Sequence, residues 1–283
     1  MFFRTSLGIA LALSLVAACN GEADPLPRGT VTVLATDAPI DHSLVEDARV
    51  WVDRVRIHAQ TDGATGFYTL YEGAPVELDL DDLRSGLTAT IVEADLPAGT
   101  YKQLRLRVTD ALLELTNGNL YTTTDDTLEL TGQGASGFKV LLDPPLEVLD
   151  GVERNLVLDF DLPKTFLPTP ASDPRTATSY ELLPVIRTAV LELSGEFEGS
   201  VVGDLGGGLV PVADATLYLL PPGETDTGES LATTATAADG SFVLLGVAPG
   251  TYDVLATLGA LTDRVDGVQV IEGALTEVDL TLE

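Results

Sequence analysis

The stretch Leu96-Pro97-Ala98-Gly99-Thr100-Tyr101 constrains this chain more than any other. Proline fixes φ at the value a turn's second residue needs, and glycine accepts the angles that close the turn. A strand follows in which Leu104, Leu106 and Val108 point one way while Gln103, Arg105 and Arg107 point the other, as a period of two requires. The device returns as Val247-Ala248-Pro249-Gly250-Thr251-Tyr252, running into Asp253-Val254-Leu255-Ala256. A turn that delivers a tyrosine into an alternating strand, used twice, predicts an all-β chain of two tandem β-sandwich domains.

Length and charge set the outer limits. The 283 residues leave room for two domains, and 45% hydrophobic content supplies real cores. Asp and Glu number 44 against 15 Lys and Arg, a formal charge of −29. Such a balance excludes nucleic acid as a partner, because a phosphate backbone is held by a basic footprint. It equally excludes charge-driven adsorption to an anionic membrane. With one cysteine, Cys19, no intrachain disulfide can form.

That cysteine closes a signal-like N-terminus. Arg4 supplies a positive charge, Leu7 to Val16 form an apolar run too short to span a bilayer, and small residues follow. The ending Val16-Ala17-Ala18-Cys19 resembles the bacterial lipobox, in which the cysteine thiol is acylated after cleavage just before it. The resemblance implies a lipoprotein signal peptide over 1–18 and a lipidated tether over 19–28. An ordinary secretory signal with an incidental cysteine is the alternative. Asn20, in place of the aspartate that retains lipoproteins at the inner membrane, favours the outer membrane.

From 29 to 193, short strand-like runs alternate with turn chemistry. Predicted strands include Thr30–Leu34, Arg49–Ile57, Phe67–Leu70, Val76–Leu80, Thr88–Val92, Tyr101–Leu115, Phe138–Leu142, Glu147–Val148 and Arg154–Phe160. Tyr180 to Leu193 closes the set, interrupted by Pro184, and Asp81 to Gly86 predicts a helical turn. Val50 and Val52 alternate, then Val55 and Ile57 do, so the parity change across Asp53-Arg54 predicts a β-bulge. Trp51, the only tryptophan, is expected in the core beside these valines.

Several segments in order resemble a bacterial lipoprotein family known only as domain of unknown function 4382. They are Val33-Leu34-Ala35-Thr36-Asp37-Ala38-Pro39, Leu78-Asp79-Leu80, the Leu96 to Leu106 stretch, Leu156-Val157-Leu158-Asp159-Phe160-Asp161 and Leu183-Pro184-Val185-Ile186-Arg187. The resemblance implies an all-β fold in the cell envelope and assigns no chemistry.

Residues 194 to 283 resemble a second family, the carboxypeptidase regulatory-like domain. The likeness rests on Gly199-Ser200-Val201-Val202-Gly203, Val212 to Leu219, Thr236-Ala237-Ala238-Asp239-Gly240-Ser241-Phe242 and Gly246-Val247-Ala248-Pro249-Gly250-Thr251-Tyr252. It implies a small prealbumin-like (transthyretin-like) sandwich, a fold often grouped with starch-binding domains. Asp239-Gly240 is itself a hairpin signal, and Phe242, Leu244, Tyr252 and Val254 supply inward faces. This part holds 15 acids and one base, Arg264.

Few groups could carry chemistry. Asp37, Asp159 and Asp161 are weak candidates for a calcium site, which takes six to eight oxygens. Otherwise Asp37 caps a turn, and Asp159 and Asp161 flank an inward Phe160. Asp79, Asp81 and Asp82 read as a solvated helix start. Arg54, Arg56, Arg105 and Arg107 are expected in cross-strand ion pairs, with an anionic ligand site as the alternative. His42 and His58, the only histidines, are expected to be exposed, and neither sits in a zinc or nucleophile motif. The sequence therefore predicts a non-enzyme without cofactors: a lipid-anchored envelope protein with a structural or adhesive role. The alternative is carbohydrate binding through the second domain. Expected partners are the membrane, through the anchor, and envelope proteins or polysaccharide.

Overall fold

The structure, a computed structural model, describes residues 26–37, 44–61, 64–83, 86–170, 173–204 and 206–283. The expected signal peptide, Cys19 and His42 lie outside them. The described residues are mostly strand. The first twelve are β1 (Arg28–Asp37), β2 (Val45–Thr61), β3 (Ala64–Asp79), β4 (Ala89–Pro97), β5 (Gly99–Leu115), β6 (Leu120–Thr122), β7 (Leu128–Leu130), β8 (Phe138–Val148), β9 (Glu153–Phe160), β10 (Phe166–Thr169), β11 (Ser179–Leu182) and β12 (Ile186–Val190). A single helical turn, Leu162–Thr165, separates β9 from β10. After the 3-10 turn Leu191–Leu193 come β13 (Gly195–Asp204), β14 (Leu209–Pro211), β15 (Thr216–Leu220), β16 (Ala232–Ala235), β17 (Ser241–Val247), β18 (Gly250–Leu258), β19 (Leu261–Val270), β20 (Leu275–Glu277) and β21 (Leu280–Leu282).

The first twelve strands make two large sheets and a small one. One sheet runs β12-β9-β1-β4, and the other runs β3-β2-β5-β6 with β8 also on β5. Their inner faces share one hydrophobic core, to which Val31, Val33, Leu156, Leu158 and Phe160 come from the first sheet. Val50, Val55, Ile57, Leu104, Leu106 and Leu113 come from the second. The small sheet, β10-β11-β7, closes one end through Leu128, Phe166 and Tyr180. The remaining strands form sheets around β13 and β15-β18 over a separate core of Phe197, Leu217, Phe242, Val254 and Leu280, among others.

Both repeats of the turn-tyrosine device end in the same hydrogen bond. The Tyr101 hydroxyl donates to the Pro97 carbonyl at 2.7 Å, and the Tyr252 hydroxyl to the Ala248 carbonyl at 2.7 Å, each four residues back. Tyr101 is 1% exposed, and burial pushes its phenol up to about 12. A hydroxyl sealed in apolar surroundings needs this acceptor, since an unpaired one would cost about 1–3 kcal/mol. The tyrosine thereby fixes how each turn enters its strand.

Elsewhere the strands depart from expectation in informative ways. The expected runs Phe67–Leu70 and Val76–Leu80 belong to one strand, β3, with Gly73-Ala74-Pro75 inside it. Its pairing with β2 passes from Val52↔Val76 to Arg54↔Glu72, which absorbs the extra residues. Because β3 lies at the sheet edge, the missing N–H of Pro75 breaks no ladder. Likewise Phe138–Leu142 and Glu147–Val148 join as β8, which carries Pro144 and Pro145 and pairs only with β5. The register shift between Val52 and Arg54 is the bulge expected at Asp53. Trp51 is not in the core. It stands half-buried on the outer face, because strand alternation gives the inner face to Val50 and Val52.

Candidate functional site

Two sets of charged side chains stand out. The first lies where the two sandwiches meet. β9 is buried on both faces: Leu158 and Phe160 point into the core, and Asp159, 5% exposed, points the other way. Arg187 of β12 sits directly across the ladder from Asp159. Its Nε donates to Asp159 Oδ2 at 2.9 Å, and its Nη2 lies 2.7 Å from the same oxygen. The rest of the guanidinium crosses into the second sandwich. Nη1 donates to the Gly246 carbonyl at 2.6 Å and Nη2 to the Leu245 carbonyl at 2.9 Å, both on β17. A planar fork with five donors is the side chain suited to joining a carboxylate and two carbonyls at once.

Close packing supports this joint. Gly246 has φ +68, and a Cβ there would lie 2.5 Å from the Ala189 Cβ on β12. Gly86 has φ +79, and its Cβ would lie 2.5 Å from Val243 Cγ1 on β17. Both positions need the missing side chain to let the backbones approach.

Asp159 is held above the usual carboxylate range. Burial is the larger cause, only partly offset by the Arg187 charge and hydrogen bonds, and the nearby Asp161 adds to the rise. Asp161 does not share a site with it. Its carboxylate caps the short helix by accepting from the Lys164 N–H and pairs with Lys164 Nζ at 2.8 Å. Asp37 is aligned with Phe160 in the β1–β9 register, and its side chain lies outside the described atoms. Among the described residues no three metal-ligating side chains cluster. Asp159 and Asp161 flank the inward Phe160 at the end of β9, and Asp159 is itself buried, with Arg187 as its partner.

Clefts open on both sides of Arg187. One, of about 280 Å³, is lined by Asp143, Val190, Leu231, Pro249 and Tyr252 among others. The other, of about 250 Å³, is lined by Asp159, Asp161, Lys164, Ser230 and Thr233 among others. Several of their polar groups are committed to the fold. The Ser194 hydroxyl donates to the Val190 carbonyl at 3.0 Å, the Tyr252 hydroxyl to Ala248, and both aspartates of the second cleft are ion-paired. No hydroxyl in either cleft stands within a hydrogen bond of a free base, which nucleophilic or general-base chemistry requires.

The second set lies on the outer face of the β3-β2-β5-β8 sheet. Arg54 is opposite Arg107 and Arg56 is opposite Arg105 across β2 and β5, and Lys139 on β8 is opposite Arg105. Only part of the expected ion pairing is present. Arg107 clasps Asp53 through Nε and Nη2, and Arg54 Nη1 reaches Glu72 at 3.8 Å. Arg56 and Arg105 instead turn to the 134–137 segment. Arg54, Arg56 and Arg105 donate to the consecutive carbonyls of Ala135, Ser136 and Gly137, at 2.8, 3.3 and 3.2 Å. His58 is half-buried, not exposed, and meets the Phe67 ring edge-on at 4.9 Å, while the Arg56 guanidinium lies 5.1 Å from that ring's centre. Periodicity alone could have placed these cations on one face. The strand pairing that sets like charge opposite like charge had no local signal.

Asp79, Asp81 and Asp82 divide between two elements. Asp81 and Asp82 open the three-residue turn Asp81–Leu83, while Asp79 ends β3 and lies 3.2 Å from Arg49.

No curated protein matches the sequence. Solved structures that resemble it include a minor pilin of the Gram-positive pathogen Streptococcus agalactiae, at 10% identity and TM-score 0.24, covering 89% of this chain and 94% of that one. A shaft pilin of Lactobacillus rhamnosus GG gives 9% and 0.25, covering 92% and 98%. The major pilin subunit of Bacillus cereus gives 8% and 0.23, covering 90% and 70%. These superpositions are too loose to carry an argument about function. The sequence itself is more specific: residues 28–184, more than half of the chain, match the family described as Domain of unknown function (DUF4382). The chain belongs to that family.

Proposed function

We propose that the protein is a non-catalytic, lipid-anchored component of the bacterial envelope with a structural or adhesive role. One observation carries this reading: the Arg187 side chain at the centre of the joint is spent on Asp159 and on two carbonyls of the second sandwich, and so on holding the two together. A site evolved for turnover keeps a base and a nucleophile free to meet substrate.

The division that goes with this reading is 1–18 as signal, 19–28 as tether, 29–193 as the first sandwich and 194–283 as the second. The second sandwich is read as the carboxypeptidase regulatory-like type. Its support is the Asp239-Gly240 turn, in which Asp239 Oδ1 accepts from the Ser241 N–H at 3.1 Å, and the Tyr252 hydrogen bond. The anchor reading rests on Cys19, and acyl chains on that residue would hold the molecule at the outer membrane, since two chains anchor stably where one does not.

Lipid labelling tests the proposal. Cells expressing the full chain and fed an alkyne fatty acid are expected to give a labelled protein in the detergent-extracted envelope, and Cys19→Ala is expected to lose the label and leave that fraction. Envelope retention of an unlabelled Cys19→Ala protein, equal to wild type, would overturn it.

A further inference from the structure

The charges on the outer face of the β3-β2-β5-β8 sheet are unusual for this chain. The whole protein carries −29, yet Arg54, Arg56, Arg105, Arg107 and Lys139 share one face. Arg107 is balanced by Asp53, and Arg54 lies near Glu72. Among the described residues, Arg56, Arg105 and Lys139 have no carboxylate within ion-pair distance. They form a row across three adjacent strands, spanning about 10 Å at the usual strand spacing. Like charges directly opposite in a ladder are destabilising. An arrangement with acid residues so plentiful, in which none answers this row, leaves room for an anion from outside.

The 134–137 carbonyls do not remove that room. Arg56 meets them through Nη2 alone and Arg105 through Nη1 alone, so Nη1 of Arg56 and Nη2 of Arg105 make no hydrogen bond to described residues. Carbonyl contacts orient the guanidiniums without neutralising them.

The next row of the same face tells what kind of anion fits. Phe67, His58, Gln103 and Leu141 follow one another across the four strands. Phe67 is 43% exposed and Leu141 62% exposed, and the His58 and Gln103 side chains make no hydrogen bond to described residues. The face therefore offers cations beside an amide, an imidazole and two apolar surfaces. A sugar chain carrying carboxylates presents the matching set: anions, hydroxyls and C–H faces. A ligand of higher charge density, such as nucleic acid, meets the same cations but also the repulsion of a −29 protein. At physiological salt the screening length is about 8 Å, so groups on this face dominate what an adjacent sugar unit experiences.

We propose that this face, centred on Arg56, Arg105 and Lys139, binds a carboxylated polysaccharide. The proposal rests on the non-catalytic reading above and gives it a ligand class. Binding is located on the first sandwich, not on the starch-binding-like second one.

The test is calorimetric titration of the purified full chain in detergent micelles with polygalacturonate, alongside neutral dextran and polyglutamate. Polygalacturonate is expected to bind, with affinity falling as sodium chloride rises, and dextran is not. Lys139→Glu is expected to weaken binding at least tenfold, about 1.4 kcal/mol, since a charge-assisted contact is replaced by repulsion. This side chain is exposed and makes no hydrogen bond to described residues, so the variant keeps its fold. Arg105→Gln is expected to weaken it similarly, with the melting temperature showing whether the 134–137 segment has loosened. No binding to polygalacturonate, equal binding by Lys139→Glu, or equal binding to dextran would overturn the proposal. Preference for polyglutamate would overturn it in favour of an acidic protein partner. None of these outcomes bears on whether Cys19 is acylated, which the labelling experiment decides separately.

Discussion

Asp159 and Asp253 are both buried carboxylates facing an arginine, one at the joint and one inside the second sandwich, and their acidities move in opposite directions. Asp253 is 3% exposed and sits at the register shift between Tyr252 and Val254. It accepts from the Gly223 N–H at 2.7 Å, the Gly267 N–H at 2.8 Å and Arg264 Nη2 at 2.5 Å. Those two backbone donors, more than the arginine, hold its pKa below the usual range. Asp159 has only Arg187, whose remaining donors are turned toward Leu245 and Gly246, and burial lifts it instead. The difference teaches where each charge is secured. Backbone amides replace water for Asp253, so that site belongs to its own sandwich. Asp159 depends on one side chain, and that side chain is shared with the neighbouring sandwich.

The largest effects should come from removing the arginines. Arg187→Ala strands a buried carboxylate and two carbonyls, and losing one member of a buried pair costs about 3–5 kcal/mol. Arg264→Ala leaves Asp253 with both glycine donors and is expected to cost about 1–2 kcal/mol. Urea titrations of the two variants check the ranking, and an equal or reversed order would break the comparison.

A smaller effect distinguishes the two carboxylates by pH. The folded state raises the pKa of Asp159, so its contribution is fully present below the ordinary 3.8 and is lost as pH rises through the folded value. Asp253 is lowered, so its contribution is present above 3.8 and is lost as pH falls through its folded value. On acidification from pH 6, wild type should gain stability relative to Asp159→Asn in the window just above 3.8. It should lose stability relative to Asp253→Asn in the window below it. Urea unfolding at steps of pH reads both slopes, and slopes of the same sign would mean that Asp159 is as well solvated as Asp253.

Much of this fold was legible because its determinants are local. Proline, glycine and a following tyrosine specify each turn, and alternation specifies which side chains are inward, as the buried Leu104, Leu106 and Val108 illustrate. The bulge at Asp53 was legible for the same reason: it changes the parity of a hydrophobic pattern. Trp51 was misplaced because its apolar character was weighed above its position in that alternation. The joint was not legible at all. Arg187 lies 28 residues from Asp159 and 59 from Gly246, and nothing in a single strand announces what packs against its outer face. The basic face was half legible: Arg105 and Arg107 share a parity, but their opposition to Arg56 and Arg54 is a matter of register between distant strands.

The central claim is that two separately cored sandwiches are coupled through Arg187. Scanning calorimetry of the full chain, wild type against Arg187→Ala, tests it most directly. Each sandwich has its own hydrophobic core, and the second is the smaller. Wild type should unfold with the two sandwiches coupled, and Arg187→Ala should resolve two heat-absorption peaks, the smaller core melting first. A single peak in Arg187→Ala, at the wild-type midpoint, would show that the joint is held by something else and would contradict the account.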